Sequence, residues 1–276
     1  EEVFPEPSSE SETKPLPTSA KNESIQVTKQ ERSPMAVPPK VSVVINEEQL
    51  RDYLGPPIYH KDRMYTNTMP AGVALGLGYL GNGSGSLMPI ETTLMPGKGN
   101  LHLTGKLGDV IKESASIALS WVKSHAYELG LTKEPGDTLL DHRDVHLHMP
   151  EGAIGKEGPS AGVAFAVSLI SLLTDRSLPT KLAMTGEVSL RGMVLPVGGL
   201  KEKLLAAHRA GITTVILPAH NRPSVEADVP KSVLDDLEVH YVTNVWAALD
   251  VAFGHGPWSA QARVWSSNET PEAASQ

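Results

Sequence analysis

The chain has 276 residues, a formal net charge of −8 and no cysteine. That length allows one large domain or two small ones, and the missing thiols exclude disulfides, thiolate metal sites and a cysteine nucleophile. The acidic balance, with no Lys/Arg cluster, argues against a nucleic-acid partner, and without an 18-residue apolar run or signal peptide the chain is expected to be soluble, with no membrane partner.

Residues 1–40 are rich in Pro, Glu and Ser and lack apolar periodicity. Such a stretch buries too little apolar surface to offset its ordering entropy, so it reads as a disordered linker or insertion. The chain begins at Glu1 inside this segment and reads as a piece of something larger. Residues 46–54 predict a short helix capped by Asn46 and stopped by Gly55-Pro56-Pro57. Residues 73–80 and 86–95 are strand-like runs around a glycine-rich loop, a hairpin signal. Another strand is expected at 100–104. Residues 107–129 carry Val110, Ile111, Ala115, Ala118, Leu119 and Val122 at helical spacing and end at Gly130.

From residue 145 strands and helices alternate. Strands are expected at 145–149, 182–190, 193–197, 213–217 and 239–242, and helices at 159–173, 200–210 and 245–253. The pattern is that of an α/β (α+β) domain with mixed β-sheets and flanking helices. The closing residues resemble the opening ones in composition, although Trp258, Val264 and Trp265 are able to dock on a core.

Ser160 lies in Glu157-Gly158-Pro159-Ser160-Ala161-Gly162 and opens an apolar helix. Two readings are open. It is a helix cap, a role serine favours, or it is a nucleophile beside the positive helix end, whose free N–H groups suit an oxyanion. Gly158, Ala161 and Gly162 let a substrate backbone approach closely. No G-x-x-x-x-G-K-[ST] loop occurs, so no nucleotide site of that kind is expected.

On a wheel at about 100° per residue, Leu200, Leu204, Ala206, Ala207 and Ala210 form an apolar arc that includes Lys203 and excludes Lys201. Such a lysine either snorkels to the edge or is buried with a lowered pKa. Holding its amine neutral near pH 7 to 8 takes about 4 kcal/mol, within what burial supplies. A neutral amine is able to take the Ser160 proton, with Thr185 as a hydroxyl to hold it. His146 and His148 alternate on one strand face; with Asp144 they also admit a Ser-His-Asp site or a two-histidine metal half-site, beside a plain structural role.

At these residues the sequence becomes specific. The runs His146-Leu147-His148-Met149-Pro150-Glu151-Gly152-Ala153, Gly158-Pro159-Ser160-Ala161-Gly162, Ala183-Met184-Thr185-Gly186-Glu187 and Leu195-Pro196-Val197-Gly198-Gly199-Leu200-Lys201-Glu202-Lys203 resemble the proteolytic domain of Lon proteases. So do Pro96-Gly97-Lys98-Gly99 and the segment 104–114. The resemblance runs from about Ile45 to Phe253. It implies an ATP-dependent serine endopeptidase of unfolded or damaged proteins with a Ser160–Lys203 dyad. Thr185 would contact the lysine, and His146, His148, Glu157 and Gly158 would support the site. It further implies a homo-hexamer in the full-length protein, or a monomer for a fragment.

ATP and magnesium would belong to an ATPase module outside this chain, leaving no cofactor and no metal here. Residues 41–60 would be the end of that module's helical subdomain and a connector, 61–256 the proteolytic domain, and 257–276 a flexible C-terminal tail. Where Lon chains commonly read Thr-Pro-Lys-Asp before Gly-Pro-Ser, this one reads Ile154-Gly155-Lys156-Glu157. Residues 116–122 and 207–211 resemble peroxisomal members more than mitochondrial ones, so the peroxisomal matrix is the expected compartment, with the mitochondrial matrix or cytoplasm as alternatives. The end Ala-Ser-Gln is not a Ser-Lys-Leu signal. The competing reading is a non-catalytic assembly or binding module on the same fold.

Overall fold

The computed structural model describes residues 46, 49–55, 65, 67–80, 83–150 and 157–268. Two compact units divide the chain, residues 1–58 and 59–276. In the first, helix α1 (Leu50–Leu54) follows Asn46, whose Oδ1 accepts from the Gln49 amide at 3.1 Å, and ends at Gly55 with φ +79°. The stop at Gly55 is the expected one, but the helix is shorter and its N-cap position is Gln49, with no side chain capping it, rather than the expected Asn46. The expected segment 1–40 lies outside the described residues.

The second unit is built on a seven-stranded sheet with the order β3-β4-β2-β1-β5-β8-β9. Its strands are β1 (Val73–Tyr79), β2 (Gly85–Pro96), β3 (Leu101–Thr104), β4 (Arg143–His148), β5 (Leu182–Met184), β8 (Thr214–Pro218) and β9 (Glu238–Val242). A separate two-stranded hairpin joins β6 (Glu187–Val188) to β7 (Val194–Leu195). Within the main sheet only β2 runs against its neighbours; all other pairings are parallel. Parallel strands need cover on both faces, and β1 is accordingly buried from Val73 through Gly78.

Helix α3 (Gly162–Thr174) lies on one face of β1 and β2, and helices α2 (Asp109–Ser124) and α7 (Val245–Phe253) pack on it. Residues 162–171 of α3 are all buried, as expected of a helix that is apolar all round. Helix α4 (Leu200–Arg209) covers the opposite face of β1 and β2. Here Gly85 is required by close approach: a Cβ would collide with the Glu202 carbonyl and come within 2.9 Å of the Lys203 amide. Helices α5 (Arg222–Asp228) and α6 (Lys231–Asp235), after a 3₁₀ turn at Ala219–Asn221, carry the chain from β8 to β9.

The structure differs from the sequence reading in three places. The expected helix 107–129 ends at Ser124, because the His125 ring and the Ser124 hydroxyl both bond the Trp121 carbonyl and so satisfy the helix end. The expected strand 182–190 breaks at Thr185-Gly186, where a Cβ on Gly186 would sit 2.8 Å from Val163 Cγ2 and 2.9 Å from Val194 Cγ1.

The expected flexible tail, 257–276, instead contains helix α8 (Ser259–Asn268) packed on α7. One residue explains this. Trp258 is 1% exposed, donates its indole N–H to Gly254 O at 3.0 Å, and lies under the Arg176 guanidinium at 5.1 Å. Average composition hides a single large buried ring. Trp258→Ala is expected to destabilise the domain by about 3 kcal/mol or more in urea unfolding; a loss under about 1 kcal/mol would show that α8 is not held by this ring.

Candidate active site

The carboxyl ends of β1, β4 and β5 meet around a cavity of about 760 Å³. Sequence order splits at β1, with β2 on one side and β5 on the other, and open α/β sheets bind ligands at such a switch point. The strand ends supply Tyr79, Leu80 and Met149. The loop before α3 supplies Glu157 to Ala161, and the turn before α4 supplies Gly198 and Gly199, with Lys203 behind them. Leu77, Met88 and Ile111 make much of the remaining wall apolar.

Ser160 lies two residues before α3, not on it. The N-cap position is Ala161, and no side chain caps the helix. The cap reading is therefore wrong, and the hydroxyl is not used in helix formation. The Ser160 carbonyl is fixed from the other side, accepting from the Gly186 amide at 2.8 Å and from Thr185 Oγ1 at 3.1 Å.

Lys203 is on the buried face of α4 with Leu200, Leu204, Ala206 and Ala207, while Lys201 is exposed. At 2% exposure it does not snorkel. The one hydrogen bond of its amine among the described residues goes to Thr185 Oγ1, at 3.2 Å. Thr185, itself fully buried, thus accepts from the amine and donates to the Ser160 backbone. No carboxylate pairs with Lys203 among the described residues, and burial pushes the amine down from 10.5 to about 8. Serine and lysine line one cavity through a shared threonine, without a direct bond between their side chains.

The histidines lie elsewhere. Strand alternation turns Val145 and Leu147 into the core and His146 and His148 to the other face. His146 Nε2 and His148 Nδ1 both meet Thr104 Oγ1, at 2.9 and 2.7 Å, and neither lines the cavity. Asp144 belongs to His102, at 2.9 Å, and also accepts from the Lys98 and Asn100 amides; these bonds hold its carboxyl well below the usual range. The Ser-His-Asp arrangement is thus not assembled. Nor is a metal site: among the described residues no group of three suitable side chains gathers.

Glu157 and Gly158 do line the cavity. Gly158 has φ +87°, a conformation that favours glycine, and the Glu157 carboxylate packs against Gly108 at the start of α2. The loop residues 151–156 that precede them lie outside the described residues. Sequence reasoning missed Glu187, Tyr79 and the apolar lining, which only the fold brings together. A larger recess of about 900 Å³ against β9 and α7 lacks comparable chemistry: His240 is paired with Glu238, Asp250 bonds Ser259, and Arg222 covers Tyr241.

The switch point of this α/β sheet thus brings together a serine and a buried amine, the two groups a serine–lysine hydrolase requires. The chain belongs to the Lon protease family, since the Lon protease (S16) C-terminal proteolytic domain matches residues 44–255. It is similar to the Lon protease homolog 2, peroxisomal, of Xenopus laevis, with 44% identity over 91% of this chain and 28% of that protein. The protein of the same name in Oryza sativa subsp. indica is 47% identical over 78% of this chain and 24% of its own length. That of Mus musculus is 44% identical over 86% and 27%. The chain thus spans about a quarter of the length of the curated relatives it matches.

The lysine sets a pH dependence of stability. Below about pH 8 the amine is charged in both folded and unfolded chains, and folding bears the full cost of burying it. Between about 8 and 10.5 the unfolded chain holds more protons than the folded one, so stability rises with pH. The span corresponds to about 3 kcal/mol. Lys203→Met is therefore expected to be more stable than wild type by about that amount at pH 7, with the difference closing toward pH 10.5 in urea unfolding. Equal stability at pH 7 would show that the amine is not desolvated.

Proposed function

We propose that the chain hydrolyses peptide bonds with Ser160 as nucleophile and Lys203 as general base. The observation that carries this reading is the buried amine held by Thr185, which also holds the Ser160 backbone. With a pKa of about 8, roughly a tenth of the amine is neutral at pH 7. The neutral amine takes the Ser160 proton as Oγ attacks the substrate carbonyl. The amides of Ser160 and Ala161, which donate to no group among the described residues, are available to the resulting oxyanion. The Lys203 ammonium returns its proton to the departing amine, and water, deprotonated by the same lysine, opens the acyl-enzyme.

A non-catalytic module is less well supported. The lysine lowers stability by about 3 kcal/mol, and a module freed from catalysis would gain by replacing it. In the full-length protein we read the domain as fed with unfolded or damaged proteins by an ATPase module that binds ATP and magnesium, within a homo-hexameric ring. The naming of its relatives supports residence in the peroxisome.

Ser160→Ala and Lys203→Ala are each expected to abolish cleavage of an unfolded protein, whereas His146→Ala keeps it. Labelling of Ser160 by a serine-directed electrophile should rise about tenfold per pH unit up to about pH 8 and then level. Near-normal cleavage by Lys203→Ala with loss in His146→Ala would refute the dyad.

A further inference from the structure

Ser114 is a polar residue in the apolar stripe of α2, three residues after Ile111 and four before Ala118, and it is 3% exposed. The other serines of that helix turn inward on it: Ser116 bonds Lys112 O at 2.9 Å and Ser120 bonds Ser116 O at 2.8 Å. Ser114 instead crosses to the nucleophile loop and donates to Pro159 O at 3.1 Å. Its hydroxyl also fills the space beside Gly162, where a Cβ would lie 3.2 Å from it.

The Pro159 carbonyl and the Ser160 N–H belong to one peptide plane and, in a trans peptide, point in opposite directions. Drawing the carbonyl toward α2 therefore turns the Ser160 amide away from α2. On the other side, Gly186 and Thr185 hold the Ser160 carbonyl and so orient the Ala161 amide in the same way. Rotation of the first plane needs only ψ of Pro159 and φ of Ser160. Both lie before α3, which begins at Gly162, so that plane is outside the regular helix. Besides the Gly162 amide at 3.2 Å, Ser114 is the one group bonded to that carbonyl among the described residues.

We propose that Ser114 is a positioning residue that aims the Ser160 amide at the oxyanion and prevents its peptide plane from turning over. The proposal rests on the serine–lysine peptidase reading. It assigns α2, which carries no catalytic residue, a part in transition-state stabilisation.

The test uses the full chain, a fluorogenic peptide cleaved by wild type, and Ser160→Ala as the blank. Ser114→Ala should lower kcat by about 10- to 100-fold, since one oxyanion donor is misdirected. KM should stay within about twofold, the pH inflection should not move, and inhibition by a peptidyl boronate, whose tetrahedral adduct mimics the transition state, should weaken in proportion to kcat. Ser116→Ala should change none of these. Ser114→Cys, nearly the same size but a poor donor, should fall between wild type and Ser114→Ala, and it decides the matter if the alanine variant does not fold. A kcat within about twofold of wild type in the Ala or Cys variant, or a loss seen in KM alone with boronate affinity intact, overturns the role of Ser114. Cleavage that survives in Ser160→Ala overturns the peptidase reading instead.

Discussion

Lys203 has its amine removed from water, with a hydroxyl as its one partner among the described residues, where the charged form is disfavoured by about 3 kcal/mol. That condition dictates the surroundings. Helix α4 must seat its apolar face tightly on β1 and β2, which is why the first residue of β2 is a glycine with no room for a side chain. Among the described residues no carboxylate reaches the amine; a paired charge would restore the proton that burial removes. Thr185 then does what a neutral partner is able to do: it fixes the nitrogen without changing its charge. The domain is less stable than the same fold with an apolar residue at this position would be, and on the proposed reading that difference is what suits the amine to act as a base near neutral pH.

The sheet explains why parts from distant segments meet. Because β1, β4 and β5 are parallel, their carboxyl ends gather on one edge, and each continues directly into a site residue: Tyr79 to Leu80, His148 to Met149, Met184 to Thr185. Helix α3 then starts beside them with its amides facing the same edge. Positioning is shared among backbone groups of rigid elements, so Ser160 does not depend on a flexible side-chain network.

Much of this was legible in the sequence. Apolar periodicity located α2, α3, α4 and α7, and the wheel separated Lys203 from Lys201 before any contact was known. Ser114 carried the same kind of signal, a polar residue inside an apolar stripe, but a serine in a helix is too ordinary to stand out. The errors have physical causes. His146 and His148 looked close to the serine because they are close in sequence, yet period-two alternation put them on the other face of the sheet. The tail looked flexible because one tryptophan carries most of its burial. Ser160 resembled a cap because a serine just before an apolar helix has the sequence pattern of one, and only the backbone position of Ala161 shows that it is not.

The pairing of Gly76 with Met184 has a consequence for how the molecule comes into being. The two residues lie far apart along the chain, and such contacts form late because the intervening loop must first be closed. Helix α4 packs on β1 and β2, but Thr185, which holds the Lys203 amine, follows β5, so until β1 finds β5 the amine lacks that partner. If Lys203 is the base proposed above, a nascent or partly unfolded domain carries the serine before that base is in place. On the proposed reading, the topology itself delays peptidase chemistry until folding is finished.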